Sequence, residues 1–129
     1  MTHPILALQA SLVAAWRDDP ELPVFDAPPA ASQPPYVTIA RHDLLPRDGD
    51  TAPGYEHRLL LHAWVADASR KSAVDLAGKL VDAALAAELD GETLRVTLRR
   101  HDRTDTAIDA ATGRARAAIA MTFYSEPVV

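Results

Sequence analysis

From Tyr55 to Asp67 the chain reads YEHRLLLHAWVAD. On a strand, Leu59, Leu61, Ala63 and Val65 share one side, and Leu60, His62 and Trp64 share the other. Both sides carry apolar groups, so the pattern predicts a strand covered on both faces. Two segments have a helical period instead. Over residues 4–17, Ile5, Leu8, Leu12 and Trp16 form one stripe, and Pro4 suits a first turn, where its missing N–H costs no hydrogen bond. Over residues 69–87, Val74, Leu76, Ala77, Leu80, Val81, Ala84 and Leu85 cover about half the circumference. Lys71, Asp75, Lys79 and Asp82 take the other side, with Asp75 and Lys79 at a favourable i,i+4 spacing. Ser69 or Asp67 is the expected cap at its start, and Gly91 closes the turn beyond its end.

The remaining apolar pattern has period two. Val37 and Ile39 alternate with Thr38 and Ala40 in a strand over 35–43. Leu94, Val96 and Leu98 alternate in a strand over 92–105, and Ala117, Ile119, Met121 and Phe123 in one over 114–126. DAATG (109–113) reads as the turn joining these last two into a hairpin. Eight of the ten prolines lie between positions 20 and 53, where VFDAPP (24–29) reads as a short extended piece and AASQPP (30–35) as a loop. LLPRDGDTAPG (44–54) has no period and is expected to be a long exposed loop, either a binding element or a mobile one. The order predicts a single domain over residues 1–129. Its class is α+β, with a mostly antiparallel sheet of four to five strands packed with two main helices.

Composition narrows the functions this fold could serve. The chain has 129 residues, and much of its 48% apolar content is alanine, which packs a thin core and leaves apolar surface for a neighbouring subunit to finish. A formal charge of −5 lacks the basic face of a dedicated nucleic-acid binder. With no cysteine there is neither a disulfide framework nor a thiolate metal site, as suits a reducing intracellular setting. No apolar run reaches the roughly 20 residues of a membrane span. The N-terminal segment has no basic leader, so it is read as a structural helix of a soluble protein rather than a signal peptide.

Candidate chemistry is sparse. His57 and His62 stand five apart, a spacing that sends them to opposite faces of a strand and denies them a shared metal. His57 is expected to be solvated and His62 to sit at the margin of a packed face. His101, Asp102, Asp105 and Asp109 do not have the spacing of a calcium loop. No nucleophile elbow and no phosphate-binding glycine loop occurs. The expectation is no enzyme, no catalytic residue, no metal and no cofactor. Arg95, Arg99, Arg100, Arg103, Arg114 and Arg116 gather on the terminal hairpin, while acids such as Asp18, Asp19, Asp82 and Glu88 lie elsewhere. Such separation of sign suits head-to-tail contact between copies, and a solvated face of mixed charge is the alternative.

Taken together, PPYVTIA (34–40), HRLLLHAWVADASRKSAVDLAGKLVDAAL (57–85) and RVTLRRHDRTDTAIDAATGRARAAIAMTFYSE (95–126) resemble the tail-terminator, or tail-completion, proteins of long-tailed phages and phage-like gene transfer agents. The chain departs from that pattern at Ala40, where glycine is expected. The resemblance implies a structural virion protein, assembled in the bacterial cytoplasm. It would form a hexameric ring on the tail tube protein, stop tube growth and meet a neck stopper protein. DNA would pass the pore without specific binding, and no membrane would be involved. Within such a ring the 44–54 loop is expected to project to a partner through Arg47, Asp48 and Asp50, with Leu44 and Leu45 anchoring its base. Two alternatives remain: a neighbouring neck component such as the stopper, or a small ligand-binding domain using that loop as a lid.

Overall fold

The computed structural model describes residues 3–20, 22, 24–25, 33–48 and 53–128. Its elements are α1 (Pro4–Arg17), β1 (Val24–Phe25), β2 (Tyr36–Pro46), β3 (Tyr55–Trp64), α2 (Arg70–Ala86), β4 (Leu94–Ile108) and β5 (Ala115–Pro127). The sheet order is β1-β2-β3-β5-β4. β1 runs parallel to β2, and every other pairing is antiparallel. β5 is thus inserted between β3 and β4, which α2 connects. The predicted α+β class and both helices are present.

Each helix begins where its sequence directs. His3 accepts a hydrogen bond from the Ile5 amide at the head of α1, and Pro4 occupies the first turn. Ser69 caps α2 by accepting from Ser72 N at 3.1 Å, and Asp67 in turn accepts from Ser69 N. Leu8, Leu12 and Trp16 are fully buried, and the Trp16 indole donates to Leu80 O at 3.0 Å, tying α1 to α2. On α2 the buried face is Ala73, Leu76, Ala77, Leu80, Val81 and Ala84. Val74 and Leu85, expected in that face, are instead 49% and 41% exposed. The helix is rotated toward its alanines, because small side chains let it lie close to the sheet. The ammonium of Lys71 lies within 3.9 Å of the Asp75 carboxylate.

Three sequence-based expectations about the strands need correction. First, the segment 44–54 is not a long loop: β2 runs through Leu44, Leu45 and Pro46, and Arg47 N donates to Gly54 O at 2.7 Å. Proline is tolerated at position 46 because its nitrogen points away from β3, toward an edge that two-residue β1 does not reach. Second, Leu94, Val96 and Leu98 do not share a face. A bulge at Thr97 sets Val96 opposite Ser125 and Leu98 opposite Tyr124, on contrary sides. A further bulge lies at Ala40, where the register of β2 shifts between Ile39 and Arg41. Third, the two faces of β3 are not both covered. Both helices lie against the side holding Leu59, Leu61 and Ala63, together with Ile119, Met121 and Phe123 of β5. Leu60, His62 and Trp64 face away and are only half-buried.

The end of α2 is held by one side chain. Arg99 Nη1 donates to Ala84 O, Leu85 O and Ala87 O, at 2.6–3.3 Å. Its positive charge also complements the negative helix terminus. Arg99→Ala should lower unfolding free energy by about 2 kcal/mol, since each charge-assisted bond contributes more than a neutral one. Arg103→Ala, which removes only an exposed ion pair, should change it little. Denaturant titration compares the two, and equal losses would show that Arg99 is not a cap.

Candidate functional site

Three places in the fold hold most residues singled out by the sequence, and a fourth joins His57 to residues that sequence reasoning missed. The expectation that His57 is solvated is wrong: it is fully buried on the helix side of β3. Its partner is His42, not His62. His42 lies opposite Leu59 and His57 opposite Leu44, which makes the two histidines diagonal neighbours on one face of the β2–β3 hairpin. The Gln9 amide donates to His42 Nδ1 at 3.0 Å. His42 Nε2 then donates to His57 Nδ1 at 2.8 Å, and His57 Nε2 to Ser125 Oγ at 2.7 Å. One directed row of hydrogen bonds therefore links α1, β2, β3 and β5. Nothing in the spacing of His42 from His57 signals this; only the hairpin register creates it.

The row depends on neutral rings. Burial pushes both imidazoles down to about 4. For His42 the nearby Asp43 carboxylate opposes the shift and His3 adds to it; for His57, His42 and His3 both add to it. In this tautomer His57 Nε2 is a donor to Ser125, so it has no lone pair with which to accept that hydroxyl's proton. The geometry braces the fold.

The open face of the sheet is a ladder of ion pairs. Arg41 meets Asp43 at 2.9 Å, Arg58 meets Glu56 at 2.7 Å, Arg100 meets Asp102 at 2.7 Å and Arg103 meets Asp105 at 2.6 Å. Arg95 pairs with Glu126 across β4 and β5. Burial raises the Asp102 carboxyl, but hydrogen bonds from Thr122 and Arg100 outweigh it and hold the group below its usual range. The Arg41–Asp43, Arg58–Glu56 and Arg100–Asp102 pairs surround a shallow depression of about 550 Å³ floored by Leu60, Ala120 and Thr122. The expected separation of sign on the hairpin is therefore not found: its arginines are interleaved with Asp102, Asp105 and Glu126. Arg99 is committed to α2. Arg116 stands apart, its guanidinium carbon 5.9 Å from the Trp64 ring centre. Arg114 lies at the exit of the 109–114 turn, where Asp109 N donates to Arg114 O and Gly113 takes a positive φ of 70°.

At the tip of the β2–β3 hairpin, Arg47 lies over the Tyr124 ring at 4.1 Å, and Gly54 N donates to Asp48 Oδ1 at 3.4 Å. A Cβ on Gly54 would come within 2.4 Å of Arg47 O, so only glycine closes the tip here. Leu44 faces the helix side opposite His57 and Leu45 faces the open side opposite Glu56, both as strand residues. Asp50 lies outside the described residues. Among the described residues, no three histidine or carboxylate side chains converge as metal ligands.

This architecture has known counterparts. The family model described as "Tail completion protein gp17" matches residues 6–124. The chain belongs to the tail completion protein family. Its structural role is therefore that of a phage-type tail component. A solved chain of the "Virion of native gene transfer agent (GTA) particle" superimposes with a TM-score of 0.80 at 20% identity, covering 97% of this chain and 99% of that one. At that identity the likeness is one of fold. No curated protein matches the sequence.

The histidine row makes a pH prediction. Unfolded histidine titrates near 6.5 and the folded pair near 4, so the unfolded state takes up more protons in between. Stability is complete well above pH 6.5 and should fall as pH drops toward 4, by roughly 2–3 kcal/mol for the pair together once the partial exposure of His42 is allowed for. Melting curves across that range check it. The same slope in His57→Gln as in the natural chain would contradict it.

Proposed function

We propose that this chain forms a hexameric ring at the head-proximal end of the tail tube, stops tube polymerisation and joins the tail to the neck. The observation that carries the reading is the uncovered sheet face. A tail completion family member whose two helices shield one side of its sheet leaves Leu60, Trp64 and Ala120 for another protein to cover. The role is structural and non-enzymatic, in keeping with histidines locked into a buried brace. A net charge of −5 suits a channel that passes DNA without holding it, since each phosphate contact by a basic residue would retard transit. The particle would be assembled in the bacterial cytoplasm, with the tube protein on one side of the ring and the stopper on the other.

The β2–β3 hairpin is the element proposed to reach the adjacent ring. It extends past the end of β1, and its tip presents Arg47 and Asp48, followed in sequence by Asp50. Leu44 and Leu45 continue the strand beneath it. On the other edge, Arg95, Arg100, Arg103 and Arg114 are proposed as rim contacts that set orientation more than affinity.

Deleting the gene should give overlong or unjoined tails in negative-stain images. Full heads that leak DNA beside tails of normal length would instead indicate a stopper. Replacing residues 48–53 with a Gly-Ser linker should leave the melting temperature nearly unchanged yet abolish head–tail joining. Normal infectious or transducing particles from that variant would show that the hairpin tip makes no necessary contact.

A further inference from the structure

Arg116 differs from most arginines of the open face. Arg41, Arg58, Arg95, Arg100 and Arg103 each meet a carboxylate of the same chain. Arg116, opposite Trp64 and Ala107, meets none among the described residues, and its Nε is buried with no hydrogen-bond partner. The acids around it are engaged: Asp109, in the lining of the same hollow, accepts from Ala111 N and Thr112 Oγ1, and Asp105 pairs with Arg103. Trp64, Arg116, Ile108 and Ala110 enclose a hollow of about 240 Å³, enough for a side chain or two. Tryptophan beside arginine is the composition that concentrates binding energy at interfaces. An unpaired, partly desolvated guanidinium over an aromatic ring is a receptor for a carboxylate.

The complementary surface lies on the helix layer, behind the sheet. α1 carries only Gln9, Ser11 and Arg17 as polar side chains, an apolar character that a helix half-open to water does not favour. Its outer side exposes Leu6 at 61% with Ala10 and Ala14 following at i+4 and i+8. Asp18 and Glu88 border that shelf, and among the described residues neither carboxylate has an ion pair. Small residues there allow close approach, and the two acids supply the charge that Arg116 lacks.

We infer that copies of this chain meet head to tail, the α1 shelf of one copy seated on the Trp64–Arg116 corner of the next, with Asp18 or Glu88 pairing Arg116. The two patches lie on opposite layers of the sandwich and are different surfaces. That is the condition for a heterologous contact, which makes a ring where the rotation between copies closes and an open filament where it does not, but never a two-fold dimer. The inference rests on the ring reading above and adds to it the surfaces that make the ring.

The natural chain has no cysteine, so introduced ones crosslink without background. Particles carrying both Ala14→Cys and Ala110→Cys, oxidised mildly, should give a ladder of covalent oligomers of this chain, whereas either single variant should give only monomer. Dimers from a single variant would indicate a two-fold contact and overturn the assignment. So would monomer alone from the double variant in particles shown by reconstruction to hold a ring; in that case the ring stands and only the surfaces fail. If the chain is missing from particles altogether, the ring reading itself fails, and with it this assignment. Arg116→Glu should cut the yield of joined particles by roughly tenfold or more, and adding Glu88→Arg should restore part of it. Unchanged yield from Arg116→Glu would overturn the pairing.

Discussion

Two helices cannot shield both faces of a five-stranded sheet, and here both are spent on one. Everything else in the molecule follows from that asymmetry. The helix side is dry and closely packed, with Trp16 hydrogen-bonded to the backbone of α2 and Phe123, Ile119 and Leu61 beneath. The other side cannot be left apolar in water, so it carries paired charges over a thin apolar floor of Leu60, Ala118 and Ala120. Ion pairs between neighbours on one strand, such as Arg41 with Asp43, keep that face soluble while contributing little stability of their own. A surface of this kind suits a protein that must exist free before it is built into a particle.

The buried row from Gln9 through His42 and His57 to Ser125 answers a different need. A core built largely from alanine, valine and leucine supplies few shape constraints, and several packings of such side chains have similar energy. A directed chain of hydrogen bonds has one arrangement. It fixes α1 against the β2–β3 hairpin, and so fixes where the hairpin tip points relative to the outer side of α1. In a ring subunit those two features must reach different neighbours at the same time.

Much of this was legible in the residues. The helical stripe of Leu8, Leu12 and Trp16, the alternation of Leu59, Leu61 and Ala63, and the turn at 109–113 each depend on a local period, and each is found where the pattern puts it. What the sequence could not show depends on register. Bulges at Ala40 and Thr97 add one residue to a strand without changing its composition, so the alternation alone puts Leu98 on the wrong face and gives no sign of His42. The sequence points to a solvated His57 because the burial of that ring comes from α1 and β5, both distant in sequence. The arginines of the last hairpin look like a basic edge only while its carboxylates are left out: Asp102 and Asp105 stand two residues from Arg100 and Arg103 on β4, and Glu126 meets Arg95 once β4 and β5 are paired. The family resemblance was carried by the order of elements, which is insensitive to such slips.

The central claim is that neighbouring copies complete the open face. A reconstruction of the assembled head–tail junction tests it directly, at a resolution that shows side chains. The account predicts six copies in a closed ring, with Leu60, Trp64 and Arg116 of each copy buried against the next. A ring of another number, or a junction in which that sheet face remains open to solvent, would contradict it.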